Sequence, residues 1–240
     1  VGLLVWRALD LQIFNKDFLQ DQGDARALRV MPIPAHRGAI TDRNGEPLAI
    51  STPVDSVWAQ PGALLADTRA LIRVARKLGL DPNAVKRQLE ERRDREFLYL
   101  KRHATPDLAR QVQALGVPGV FLQREYKRYY PMGEVTAHLV GFTDVDDRGQ
   151  EGLELAYDDL LRGTPGAKRV IKDRLGRVVE DVESISMPRP GRDLALSIDR
   201  RIQYLAYREL KGAVLANRAH SGSLVMLDAV TGAVLAMVNQ

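Results

Sequence analysis

Residues 37–51 read RGAITDRNGEPLAIS. Two short apolar runs flank Asp42-Arg43-Asn44-Gly45, and Asn-Gly marks a hairpin strongly because both residues tolerate positive φ. The stretch predicts strands at RGAIT and PLAIST joined by that turn. Upstream, Pro32 and Pro34 bar a helix; downstream, SVWAQP (56–61) predicts a third strand. Helices then alternate with extended segments. DTRALIRVARKL (67–78) is amphipathic and stops at Gly79. Asp81-Pro82 opens a second helix running to about Arg93, and Thr105-Pro106 caps and opens a third. FLYLKRHA and VPGVFLQREYKRYYP, on either side of that third helix, read as extended. GEVTAHLVGF (133–142) is apolar and short enough to be buried, and KRVIKDRLGRVVEDVESIS (168–186) predicts a hairpin about Leu175-Gly176. Past the break MPRPGRD (187–193) come one more strand, a long amphipathic helix over 199–219, and two strands about DAVTG. The pattern is mixed α/β, of the α+β kind.

Composition bounds the function. The 240 residues hold 35 basic and 31 acidic side chains, a net charge of only +4. The arginines are interleaved with acids, so nucleic acid is not an expected partner. With no cysteine there is no disulfide, thiolate metal site or Cys nucleophile. His36, His103, His138 and His220 lie far apart without ligand spacing, so neither metal nor cofactor is expected. The N-terminal VGLLVWRALDLQIF opens with six residues of which five are apolar, far short of the roughly twenty that a membrane span needs. Trp6-Arg7 nonetheless resembles the interfacial end of a span. An amphipathic first helix and the outer end of a membrane anchor both fit.

Three features invite a chemical reading. DDRGQEGLELAYDDLLRG (146–163) places six carboxylates within fourteen residues. On a helix starting near Gln150, Glu151, Glu154 and Asp158 fall within about 60° of one another, with Leu153, Ala156, Tyr157 and Leu160 opposite. The expected element is an amphipathic helix with an acidic stripe and a buried apolar face, ended by Gly163 and Pro165. A catalytic dyad would need one carboxyl raised in a cleft, and a cation site would need a ligand loop; the sequence supports neither. REYKRYY (124–130) interleaves aromatic and basic residues as single-strand binders do, but a strand whose aromatics alternate into a core is the expected reading. RALIRVARKL (69–78) has the basic face of a membrane-surface helix. Its length and Gly79 stop suit a packed helix in a partner-binding region.

Arg37-Gly38-Ala39-Ile40-Thr41-Asp42-Arg43-Asn44-Gly45 resembles the first signature of the class B penicillin-binding proteins. Gly149-Gln150-Glu151-Gly152-Leu153-Glu154, with His138 and Gly141 before it and Leu161, Gly163 and Gly166 after it, resembles a second. LSIDRRIQ (196–203), followed by MLD (226–228) and TGAVLAM (231–237), is similar to the opening of the family's transpeptidase domain. The segments stand in family order, and the resemblance is nearest the division-specific members of Gram-negative bacteria. It implies the end of a single-pass inner-membrane anchor at 1–22, an elongated, non-catalytic periplasmic pedestal of dimerisation type at 23–190, and the first helix and two strands of a serine transpeptidase domain at 191–240.

The resemblance also implies an activity and partners: cross-linking of septal peptidoglycan by serine acyl transfer, acylation by β-lactams, and contact with membrane proteins of the divisome, including the glycan-polymerising glycosyltransferase. Peptidoglycan precursor strands would be bound by the catalytic domain. The resemblance further pairs the two signatures, with Glu151 or Glu154 meeting Arg37 or Arg43, since Arg suits bidentate carboxylate contacts. The residues expected in this interdomain brace are Arg37, Gly38, Asp42, Arg43, Gly45, Gly149, Gln150, Glu151, Gly152 and Glu154. The family's catalytic signatures Ser-x-x-Lys, Ser-x-Asn and Lys-Thr-Gly do not occur in the sequence. The expectation is a segment that stops before its nucleophile, holds no catalytic residue and is inactive alone. An elongation-specific relative of the same architecture and a periplasmic scaffold without a catalytic domain are the alternatives.

Overall fold

The computed structural model describes residues 28–172 and 178–240. The expected N-terminal helix and the turn at Leu175-Gly176 lie outside the described residues. The chain begins with β1 (Leu28–Ile33), then forms the hairpin of β2 (Ile40–Thr41) and β3 (Pro47–Ala59) about the Asn44-Gly45 turn, where Gly45 takes a φ of 81°. SVWAQP is not a separate strand: its first four residues continue β3, thirteen residues long. Pro53 is tolerated within β3 because β2 has ended there and β4 pairs only from Asp55 onward, leaving one side of β3 without a ladder partner.

Four helices and two strands complete this end of the molecule. They are α1 (Pro61–Leu65), α2 (Thr68–Leu78), α3 (Pro82–Glu90), β4 (Leu98–Ala104), α4 (Pro106–Gln113) and β5 (Val120–Tyr129). Asp67, Asp81 and Thr105 each accept backbone N–H groups in the first turn of their helices, and Gly79, at φ 71°, ends α2. The helices lay their apolar stripes on the sheet: Leu71, Val74, Leu78, Val85, Leu89 and Val112 pack with Val57 and Ala59 of β3. β3 is flanked by β4 on one side and by β5 on the other over Ile50–Ala59.

A second core joins Ile40, Leu48 and Ala49 of the hairpin to Val140 of α5 (Ala137–Val140) and to Leu161. The acidic stretch does not form one helix. It forms α6 (Gly152–Ala156) and α7 (Asp158–Leu161), interrupted at Tyr157, with Glu151 extended at the start. β6 (Gly166–Lys172) and β7 (Val178–Ser186) make an antiparallel sheet with β1. The 187–193 break is tied to the chain beside both signatures: Gly191 N–H donates to His36 O, Arg192 N–H to Leu160 O, and Thr164 bridges Arg189. β8 (Leu194–Ala195) then adds to β2 in parallel. α8 (Arg200–Ala216), shorter than the expected 199–219, packs against the antiparallel pair β9 (Ser223–Leu227) and β10 (Val234–Asn239) through Ala206, Tyr207, Ala236 and Val238.

Candidate functional site

Arg37 sits between β1 and β2, fully buried, and its guanidinium is completely engaged. Nε donates to Glu154 Oε2 at 2.8 Å and Nη2 to the Glu154 backbone O at 2.9 Å; Nη1 reaches Asp158 Oδ1 at 2.7 Å and Asp147 O at 3.0 Å. Glu154, also fully buried, uses its second oxygen to accept from Arg128 Nε of β5 at 2.7 Å. Arg128 Nη1 donates to Ser51 of β3 at 3.1 Å. Three segments far apart in sequence therefore meet at one carboxylate. Such a site is neutral only when its charges balance: Arg37 and Arg128 offset Glu154 and Asp158. Burial works against Arg37's charge, but the hydrogen bond to Asp158 and the charge of Glu154 overcome it and hold its pKa above the ordinary value. Burial likewise opposes the Asp158 carboxylate, and the N–H of Gly149 with Arg37 reverses this, so its pKa is depressed.

Asp147 is a third carboxyl beside a pair of cations already neutralised. Its Oδ1 is buried without a hydrogen-bond partner. Burial, only partly offset by Arg37 and Arg128, pushes its pKa up to about 6. Its φ of 62° turns its backbone carbonyl onto Arg37. The neighbouring Asp146 points the other way and pairs with Arg102 at 2.6 Å. Arg102 also holds Glu125, which accepts from Tyr99 and Ser56 and is kept ionised below its usual range despite its burial. Ser56 offers no nucleophile: it is fully buried and donates to Glu125, while His103 contributes only its backbone N–H to Ser56. Among the described residues no group of three His, Asp or Glu side chains is placed to hold a metal.

Two glycines of the signatures are required by close approach. A Cβ on Gly38 would stand 2.0 Å from Arg192 O, and one on Gly149 would stand 2.0 Å from Glu154 O. Gly152 opens α6 against the backbone of Gly141. Asp42 does separate work. Its carboxylate accepts from Asn44 N and Glu46 N at 2.8 Å, closing the turn, and from Arg200 N at 3.1 Å, at the start of α8. These N–H donors outweigh its burial and lower its pKa. Asn44 donates to Asp199 and Arg200 pairs with Glu46 at 3.1 Å, so the Gly45 turn grips the first turn of α8.

Of the expected pairings, Arg37 with Glu154 is the one that forms. Arg43 supplies its backbone N–H to Ile198 O and does not meet the acids of the second signature. Glu151 is exposed, as is Gln150, which bonds Asp144 and the Arg148 carbonyl. The expected polarity of the acidic stretch fails at Glu154, which faces the core, and at Ala156 and Tyr157 of the supposed apolar face, which are exposed; Leu153, half-buried, still packs on the second core, and Leu160 is half-buried. Two arginines arriving beneath α6 draw Glu154 inward. Arg128 was not anticipated, although period-two alternation puts it on the same face as Tyr126 and Tyr130 and opposite Tyr129, which is exposed.

Residues 32–196 match the family model of the penicillin-binding protein dimerisation domain. The chain belongs to this family. Its relatives include the probable peptidoglycan D,D-transpeptidase PbpC of Pseudomonas aeruginosa, 45% identical over 97% of the chain, and the peptidoglycan D,D-transpeptidase FtsI of Escherichia coli, 44% identical over 100% of it. The chain spans 41% of the length of each. The fold of penicillin-binding protein 2X from Streptococcus thermophilus superimposes on 88% of the chain, and the chain on 35% of that protein, with a TM-score of 0.61 at 20% identity. In this dimerisation domain the Arg37–Glu154–Arg128 core and the Asp42 turn lie in tandem along β2.

Proposed function

We propose that this dimerisation domain serves a peptidoglycan D,D-transpeptidase of cell division, as the part that positions catalytic machinery and receives divisome partners. The carrying observation is 44% identity across the whole chain to a protein named peptidoglycan D,D-transpeptidase FtsI. In this reading the reaction runs through a serine ester with release of a terminal D-alanine, on residues outside this chain, and β-lactams acylate the same serine. Residues 1–22 would end an inner-membrane anchor, putting the domain in the periplasm; among the described residues no helix is long and apolar enough to cross a membrane. The glycan-polymerising glycosyltransferase would be one of the contacts. The geometry gives the positioning role its physical basis, since the buried arginine core fixes β2 and the turn after β2 holds α8 by Asp42, Asn44 and Glu46.

The test begins with the gene beyond Gln240. A Ser-x-x-Lys shortly downstream is expected, and the full-length protein should be acylated by a fluorescent penicillin until that serine is changed to Ala. A stop codon directly after Gln240, or labelling that survives the serine substitution, refutes the proposal.

A further inference from the structure

Helix α2 has an outer face that neither the core nor the brace uses. Arg69, Arg73, Arg76 and Lys77 are all exposed. At 100° per residue they fall within about 100° of arc along about 12 Å of helix. α2 contains no acid, and none of the four makes a side-chain hydrogen bond or ion pair among the described residues. Of the acids on and around these helices, Asp67 and Asp81 cap α2 and α3, Glu90 pairs with Lys86 and Asp107 pairs with Arg110, while the exposed Glu91 and Asp94 past α3 pair with none of the four. Like charges at i, i+3 and i, i+4 oppose a helix, yet the sequence keeps Arg69/Arg73, Arg73/Arg76 and Arg73/Lys77.

The partner's chemistry follows from what the face lacks. Leu71, Val74 and Leu78 are at most 2% exposed and Ile72 is half-buried, so α2 keeps little apolar surface to enter a bilayer. No aromatic stands on α2 to stack a base. The neighbouring helices α3 and α4 mix exposed carboxylates, Glu90 and Asp107, with exposed cations, Lys86, Arg87 and Arg110, so the surface beside α2 is of mixed charge, which disfavours a broad anionic sheet. Three of its four cations are arginines, whose planar fork matches carboxylates. We propose that this face docks an acidic segment of a partner polypeptide, with carboxylates on one side at helical spacing. The inference does not depend on the transpeptidase reading.

The test measures fluorescence anisotropy of a labelled alanine-based peptide with Glu at i, i+4, i+7 and i+8, titrated with the full chain. Arg73→Glu with Arg76→Glu should weaken binding about tenfold, since two exposed pairs are lost and two repulsions are added. Arg73→Gln with Arg76→Gln should fall between, and raising salt from about 0.05 to about 0.3 M should also weaken binding. A peptide of the same composition with its Glu residues spread around the helix should bind several-fold more weakly. Circular dichroism should show every variant folded, because the altered side chains are at the surface. Equal binding of the two peptides, or unchanged binding by both double variants, overturns the proposal. So does displacement of the peptide by phosphatidylglycerol-containing vesicles that sediment the wild-type chain and not the Glu variant, which would assign the face to lipid.

Discussion

Replacing Asp147 with Asn should stabilise the protein, and only above a definable pH. The carboxyl at this position joins two cations that Glu154 and Asp158 already neutralise, and its Oδ1 has no hydrogen-bond partner. Its pKa rises from 3.8 to about 6 in the folded protein. Between those values the folded state keeps a proton that the unfolded state has released, so stability declines as pH rises through that window. The difference is worth about 3 kcal/mol at pH above about 7, reduced where solvent screens the half-buried carboxyl. Asn removes the charge, keeps the shape, tolerates the positive φ, and leaves the backbone carbonyl on Arg37 unchanged.

The measurement is urea unfolding of both proteins from about pH 4 to about pH 8. The curves should nearly meet at the acid end, and the Asn variant should become more stable by up to about 3 kcal/mol at the alkaline end. Every other titrating group is common to both proteins and cancels in the difference. A constant offset across the range would show that the Asp147 charge is not penalised. A variant less stable at high pH would show that the carboxylate is a needed partner of Arg128, and would refute the charge count.

Glu154→Ala should cost about 3–5 kcal/mol in denaturant unfolding, because it leaves two buried guanidinium groups short of a carboxylate. Glu151→Ala, at an exposed side chain, should lie within about 0.5 kcal/mol of wild type. Gly38→Ala forces main-chain movement against Arg192 and should cost about 3 kcal/mol or more, read as a fall in melting temperature. Asp42→Asn should cost about 1–3 kcal/mol at neutral pH and speed amide exchange at Arg200, whose N–H the carboxylate accepts. The depressed pKa of Asp42 gives its contribution a sign: it is present above the unfolded value near 3.8 and lost as pH falls below it, so the variant and wild type should converge in acid.

The helices α2, α3 and α4 and the Gly45 hairpin were legible because local signals agree there with tertiary packing: a cap, a stop and a single apolar face. The acidic stretch was not, because a helical wheel sorts residues by polarity and assumes that charge faces water. Glu154 violates that assumption only through Arg37, 117 residues away, and Arg128, 26 residues away. No window of sequence contains those partners. The same limit hid β3's continuity, since Pro53 looks like a strand break until the absence of a neighbour on one side is known. Of the ten brace residues, Arg37 and Glu154 meet directly, Asp42 and Gly45 form a second contact further along β2, and Arg43, Gln150 and Glu151 stand outside the buried cluster.

Sharing one carboxylate between two arginines makes the couplings in this core opposite in sign, which no list of pairwise contacts would predict. Removing Arg37 alone leaves Glu154 with Arg128, and removing Arg128 alone leaves it with Arg37. Removing both strands a buried carboxylate, so Arg37→Ala with Arg128→Ala should cost more than the two single losses together, by about 1–3 kcal/mol. Arg37→Ala with Glu154→Ala should cost less than its two singles together, because each deletion removes the charge that the other strands. The excess in the first cycle should shrink at low pH, where protonation relieves the stranded carboxyl. Additive losses in both cycles would mean that the ion pairs are energetically independent, and that what holds β2 against α6 is the close backbone contact at Gly38 and Gly149 instead of the shared charge.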